Sequence, residues 1–170
     1  MKNFVSDDFD IRPVTIATCE QVMGVYDSNH DFFMLTEGKP ATLPSCKANI
    51  TAMPPGFDPK NKFCLGLWKD EKCIAVLDYL VGYPSPDCLY IGLLLVHGEW
   101  HGLGIGHKIF IWLLKEYKHL KIVKVAVCAA NLKGVQFWHK CGFFEVGKAT
   151  ARVGEQVMDV IMMEYHSNFS

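Results

Sequence analysis

The chain has no apolar run long enough to cross a membrane, no Cys-x-x-Cys pair and almost no net charge. Each lack removes a class of protein. Its longest apolar segments, such as Ile109 to Leu114, fall well short of the roughly 18–20 residues that a membrane helix needs. The opening stretch MKNFVSDDFD is polar and acidic with no apolar signal region, which points to a cytoplasmic protein. A net charge of −1 argues against nucleic acid or a membrane surface as partner. The seven cysteines are odd in number and scattered, so reduced thiols are expected rather than a disulfide framework. His139 and Cys141 stand two apart on an expected helix and point to different sides, so no metal site is expected. What is present is 50% hydrophobic and 21% charged residues over 170 positions. That suits one compact domain spanning residues 1–170.

Taken in order, Phe9 to Pro13 reads as a short strand. Ala17 to Tyr26 carries Val22, Met23, Val25 and Tyr26 at near-helical spacing, with Thr15 or Thr18 as cap. Gly38 to Pro59 holds five of the eight prolines and reads as a long surface excursion, either a substrate-side lid or a plain connector. It contains one short helix, Cys46 to Met53, behind Ser45. Phe63 to Trp68 and Cys73 to Val81 form a strand pair about a Lys69-Asp70-Glu71 turn, and Leu89 to Val96 is the next strand. Ile122 to Cys128 is a valine-rich strand, and Leu132 to Cys141 is a helix stopped by Gly142. Phe143 to Arg152 and Val157 to Tyr165 flank Gly154 as a closing hairpin. The pattern is mixed α/β: an antiparallel meander, then one strand–helix–strand crossover that makes its two strands parallel neighbours or near neighbours.

The informative stretch is LLLVHGEWHGLGIG, Leu93 to Gly106. A strand ends at Val96, glycines follow at 102, 104 and 106, and a helix-like segment runs from Ile105 to Tyr117. The first amides of a helix have no internal partner and carry the positive end of its dipole, so a strand–glycine loop–helix junction binds anions. Glycine permits close backbone approach and positive φ. The dinucleotide pattern GxGxxG fails in both registers, since His107 and Ile109 stand where a third glycine belongs. The P-loop pattern fails as well, with no Gly-Lys-Ser/Thr after the glycines. A diphosphate cradle remains.

His101-Gly102-Leu103-Gly104-Ile105-Gly106 resembles the coenzyme A loop of the GNAT superfamily of N-acetyltransferases, Gln/Arg-x-x-Gly-x-Gly/Ala. The family's Arg or Gln is His101 here, which is expected to weaken the phosphate contact without abolishing it. Downstream, Asn131-Leu-Lys-Gly-Val-Gln-Phe137-Trp138-His-Lys-Cys-Gly142-Phe143 resembles the family's second signature, Asn-x-x-Ala-x-x-Phe-Tyr-x-Lys-x-Gly-Phe. The two motifs and their strands cover about residues 63–165. The resemblance implies the GNAT fold: an α/β (α+β) domain whose mixed, mostly antiparallel sheet of about six to seven strands is flanked by helices and splayed at the cofactor strand. It implies acetyl-CoA as cofactor, with main-chain groups of Leu94, Leu95 and Val96 pairing with the pantetheine arm as an added strand would. The amides from Gly102 to His107 would hold the diphosphate. Asn131 would touch the coenzyme or cap its helix, and Phe137 and Trp138 would line the pantetheine pocket or serve as plain core.

Acetyl transfer to an amine needs a neutral amine, a polarised thioester carbonyl and a tolerable leaving thiolate. The Val96 amide or a neighbour is the expected polarising group. The candidate base is Asp78, which shares a strand face with Ile74, Val76 and Leu80; the competing reading is a satisfied structural carboxylate. His97 is the second candidate base. Trp138 stands where the family has a tyrosine, so the acid is Tyr90, another hydroxyl, water or nothing. Tyr79, Tyr83 and Glu37 are candidates to shape the acceptor site, and Lys115, Lys118, Lys121 and Lys124 are candidates for the coenzyme's outer phosphate. The leading expectation is an N-acetyltransferase acting on a small-molecule amine or a peptide by direct attack. The alternatives are a non-catalytic coenzyme A-binding regulatory module and a nucleotide-binding protein. The oligomeric state is open, a homodimer among the options.

Overall fold

A computed structural model describes residues 9–153 and 155–168. Most of the polar opening stretch, and Gly154 of the expected hairpin, lie outside them. Seven strands form one sheet in the order β1-β2-β3-β4-β5-β7-β6. They are β1 (Asp10–Pro13), β2 (Lys62–Lys69), β3 (Lys72–Val81), β4 (Cys88–Val96), β5 (Ile122–Cys128), β6 (Phe144–Val153) and β7 (Gln156–His166). All neighbours are antiparallel except β4 and β5, which run parallel across the single crossover. The β2–β3 turn places Asp70 (φ 47°) and Glu71 (φ 63°) in the left-handed region, as a two-residue hairpin turn requires.

Helices cover both faces, so central β3 is buried from Cys73 to Leu80 and reads as a near-continuous apolar run. One face packs against α4 (Ile105–Glu116) and α5 (Leu132–Lys140). Ile105, Ile109 and Leu113 recur at helical spacing along α4 and are buried with Phe110 and Leu114. Each such side chain contributes about 1.5–3 kcal/mol when fully buried. The opposite face packs against α1 (Met23–Asp27), α2 (His30–Glu37) and α3 (Leu43–Thr51) through Val22, Val25, Tyr26, Phe33 and Cys46.

The N-terminal third departs from expectation. Ala17 to Tyr26 is not one helix: a 3-10 turn at Cys19–Val22 precedes the five-residue α1, and the Thr18 hydroxyl accepts the Thr15 amide (2.9 Å) instead of capping. α2 was not anticipated. It ends on Gly38 at φ 71°, whose amide returns to the carbonyls of Phe33 and Met34. α3 begins earlier than Cys46 because Thr42, not Ser45, is its N-cap. Thr42 and Ser45 bond reciprocally as a capping box, with Pro44 in the first turn.

The site is positioned by one irregularity of the sheet. β4 pairs with β5 only from Cys88 opposite Ile122 to Ile91 opposite Val125. Beyond that, β4 stays with β3 while Ala126 to Cys128 stay with β7, and the two parallel strands part. At the parting point Gly92 is an extra residue, because Asp78 faces Leu93 while Tyr79 faces Ile91. A bulge bends a strand away from its neighbour, and glycine is the residue that tolerates it.

Candidate active site

The parting of β4 and β5 opens a cleft of about 1940 Å³ that passes between them and reaches both helical layers. Ordinary small-molecule pockets hold roughly 300–1,000 Å³, so there is room for a long cofactor and an acceptor together.

At one end lies the glycine loop. Gly102 (φ 75°) and Gly104 (φ 77°) are left-handed, and a side chain at either would meet nothing within 4 Å. Among the described residues none accepts a hydrogen bond from the amides of residues 102 to 107, whereas Lys108 donates to the Gly104 carbonyl (3.0 Å). Six consecutive amides without an acceptor, at the positive end of a twelve-residue helix, suit an anion such as a diphosphate. Gly106 serves a different purpose. A Cβ there would meet the Phe137 ring at 3.0 Å, so its absence lets α5 close on α4.

His101 turns back from this cradle. Its Nε2 lies 2.6 Å from the Val96 carbonyl, which fixes Nε2 as the protonated nitrogen. Asn29 Nδ2 donates to the same carbonyl (2.9 Å) and to that of Val25 (2.7 Å), so loop, strand end and the α1–α2 turn are tied at one oxygen. His97 donates its amide to Ile74 (2.8 Å), and Leu95 faces Val76. By the alternation of an antiparallel ladder, the peptide groups of Leu94 and Val96 then face the gap. The peptide groups of Leu95 are turned to β3, although the residue itself lines the cleft. With the Val96 carbonyl engaged, the free main-chain groups at the gap are the Val96 amide and both groups of Leu94.

Asp78 is the only charged residue buried as a whole among the described residues. It lines the cleft on the face of α1 to α3, opposite the Gly92 bulge, where a Cβ would come within 3.0 Å of its Oδ1. Its partner is Lys62 at the start of β2. The ammonium donates to Asp78 Oδ1 (2.7 Å) and to the Asn49 carbonyl of α3 (3.3 Å). Oδ2 touches the same ammonium but accepts no hydrogen bond. The side chains of Lys62 and Asp78 are only 8% and 10% exposed. Burial pushes the Asp78 carboxyl up and Lys62 pulls it partly back, leaving it at about 6. Tyr90 lies across from Leu80 on the same face, its ring edge-on to Tyr83 at 5.6 Å, and burial raises its phenol. Tyr83 and Glu37 also line the cleft, and burial raises the Glu37 carboxyl.

Other candidates are placed elsewhere. Tyr79 follows Asp78 on β3 and so faces the α4 layer, stacked on Phe63 with its hydroxyl 3.0 Å from that of Tyr117. His97 does not line the cleft: its Nδ1 accepts the Glu99 amide (3.2 Å) and its ring lies over Gly24. Lys115, Lys118 and Lys121 lie at or beyond the far end of α4, about 18 Å from the loop. Lys124 does line the cleft, where it pairs with Glu164 (2.8 Å). Lys133 and Lys140 of α5 and Arg152 of β6 are further cations that line the cleft and were missed. Asn131 caps α5, accepting the Gly134 amide (3.1 Å), while also reaching the cleft. Trp138 reaches the cleft wall, but its ring is mostly buried among Phe110, Phe137 and Phe143. Lys62, Asn29 and Gly92 also escaped the sequence reading. Only Gly92 left a signal, as a glycine interrupting an aliphatic strand. Among the described residues no group of three or more His, Cys, Asp or Glu gathers to hold a metal, and no helix is long and apolar enough to cross a membrane.

A model of the acetyltransferase (GNAT) family matches residues 25–143. Among solved structures, an acetyltransferase from Thermus thermophilus superposes with a TM-score of 0.75 at 19% identity, covering 94% of this chain and 97% of its own. The ribosomal-protein-S18-alanine N-acetyltransferase from Escherichia coli gives 0.65 at 13%, covering 95% and 96%. A spermidine N-acetyltransferase chimera built from a Vibrio cholerae protein and hSSAT gives 0.69 at 12%, again covering 95% and 96%. These three likenesses are of fold. No curated protein sequence matches the chain.

Proposed function

The chain belongs to the GNAT family of acetyltransferases, and from that premise we propose that it moves an acetyl group from acetyl-CoA to a primary amine by direct attack. The carrying observation is the run of bare amides at residues 102 to 107, opening onto a cleft whose far wall holds a buried carboxylate. The donor set fits the cofactor: amides and the helix dipole suit its diphosphate, and Lys133 and Lys140 add positive charge to the same cleft. The free peptide edge at Leu94 and Val96 suits an amide-bearing arm.

The cofactor supplies an activated acyl group and a thiol leaving group with a pKa around 8.5. The chain does the rest. The Val96 amide, held in place by the two hydrogen bonds on its own carbonyl, polarises the acyl oxygen. Asp78 takes the proton from the attacking nitrogen; at about 6 its carboxylate is ionised at neutral pH yet basic enough to accept. Tyr90, which lines the cleft on the same face, is our candidate to give a proton to the leaving thiolate; the burial that raises its phenol keeps it protonated but makes it a weak acid. Glu37 and Tyr83 shape the acceptor end.

Thiol release from acetyl-CoA, followed across a panel of primary amines and dipeptides with product mass as readout, tests this. Release that depends on the amine, with an acetylated product, is the expected result. Saturable coenzyme A binding with no release from any acceptor rejects it.

A further inference from the structure

The acceptor end of the cleft already contains a cation. The Lys62 side chain is 8% exposed, its ammonium fixed by Asp78 Oδ1 and the Asn49 carbonyl and in contact with Asp78 Oδ2. Among the described residues Lys62 is the only charged group that acts on the Asp78 carboxyl; Glu37 of α2 lines the same cleft but does not shift it. Across the β2–β3 ladder stands Cys64, whose thiol burial pushes up to about 12; across β4 stands Gly92. Tyr26 and Cys46, in the same core, are both raised by burial and neutral. An alkylammonium entering here would place two cations around one carboxylate whose oxygens both touch the first. Like charges this close in a poorly solvated site repel strongly. A neutral amine meets no such barrier, and its nitrogen lone pair is ready to attack.

We infer that Lys62 makes this site selective for amines that are in good part neutral near physiological pH, the α-amino group of a peptide or of an amino-acid amide, over alkylamines such as a lysine side chain or a polyamine. This rests on the amine-acetylation reading above and names its acceptor class. An α-amino group titrates near 7.7–8.0 and an alkylammonium near 10.4, so at pH 7.5 the neutral fractions differ by roughly 200-fold or more. In the transfer step the neutral nitrogen forms the C–N bond and the C–S bond breaks. The nitrogen's surplus proton goes to Asp78, and the thiolate is protonated to the thiol. The positively charged Lys62 stays out of that exchange. It is a positioning residue: it holds Asp78 ionised and excludes a second cation.

The test compares kcat/KM for amino-acid amides and alkylamines of matched length from pH 6 to 9, using thiol release. For the alkylamine, the expected kcat/KM climbs about tenfold per pH unit between 7 and 9, tracking the neutral fraction. For the α-amino acceptor it levels off near pH 8. A flat alkylamine profile above pH 6 would mean that the ammonium binds to the ionised carboxylate, and that overturns the inference. Lys62→Met should flatten the alkylamine profile and narrow the ratio between acceptors at pH 7.5 by tenfold or more, while Lys62→Arg keeps both. An unchanged ratio in a folded Lys62→Met protein, checked by its coenzyme A affinity, also overturns it. Because the wild-type profiles need no variant, a Lys62→Met chain that fails to fold leaves the test standing. No thiol release from any amine at any pH removes the acetylation reading and this one together, which separates the two failures.

Discussion

Asp78 sits where a carboxylate is costly, on an apolar sheet face beneath three helices, and two neighbours make it tolerable. Lys62 compensates its charge, and Gly92 leaves the space for its Oδ1. The sign of its titration follows from burial. With the carboxyl at about 6 and not 3.8, the folded protein protonates it as pH falls through 6, and a protonated acid cannot accept the amine's proton. The wild-type kcat/KM for a good acceptor, already falling below pH 8 as the amine protonates, should therefore break to a steeper acidic limb near pH 6. Asp78→Asn should lower the rate about 10²–10⁴-fold and erase that limb, with folding verified by thermal melt. Unchanged kinetics at every pH would assign Asp78 to structure alone. Asp78 was legible as a lone carboxylate among alternating aliphatics. Tyr79 was misassigned against the same alternation, since neighbours on one strand face opposite ways. Lys62 was invisible because its link to Asp78 depends on the β2–β3 register, sixteen residues away along the chain.

Elements were legible where their signals are local. The strand–loop–helix at β4 and α4 is written in contiguous residues, with glycines at the positions that need positive φ, and it folds as expected. α2 was missed because its apolar residues run consecutively from Phe32 to Leu35 instead of at helical spacing; Phe33 is buried while Met34 and Leu35 are each 42% exposed. Its boundary residues, Asn29 and Gly38, were the readable sign. For α5, the second motif has a structural purpose that can be measured apart from any ligand. Asn131 Oδ1 satisfies the Gly134 amide, and α5 carries Phe137 onto Gly106. Asn131→Ala should cost about 1 kcal/mol in urea unfolding, and Asn131→Asp should recover most of it, because aspartate caps equally well. If the Asp variant is as destabilised as the Ala variant, capping is not what the residue does.

Across the whole molecule the decisive feature is the incomplete pairing of β4 with β5. Sequence patterning told which segments are strands and that one crossover makes a parallel pair. Where that pair parts depends on a single bulge and on the competing claims of β3 and β7, which only the assembled sheet decides. A ligand spanning that gap joins both helical layers, so its binding should register as global stability. At a hundred times its dissociation constant, coenzyme A should stabilise the native state by about 2.7 kcal/mol. For a protein of this size that is a rise in Tm of roughly 5–10 °C. ATP or NAD at the same concentration should give no comparable shift; protection by either of them and not by coenzyme A would return the cradle to nucleotides. Gly104→Val should abolish the coenzyme A shift, because a β-branched residue is strained at φ 77° and its side chain fills the cradle. Gly56→Val provides the control. It imposes the same strain at φ 74° in open space away from the cleft, so it should lower the starting Tm yet keep the full shift. Equal loss of the shift in both variants would mean that ligand binding senses overall stability, and the loop amides would lose their assignment as the phosphate grip.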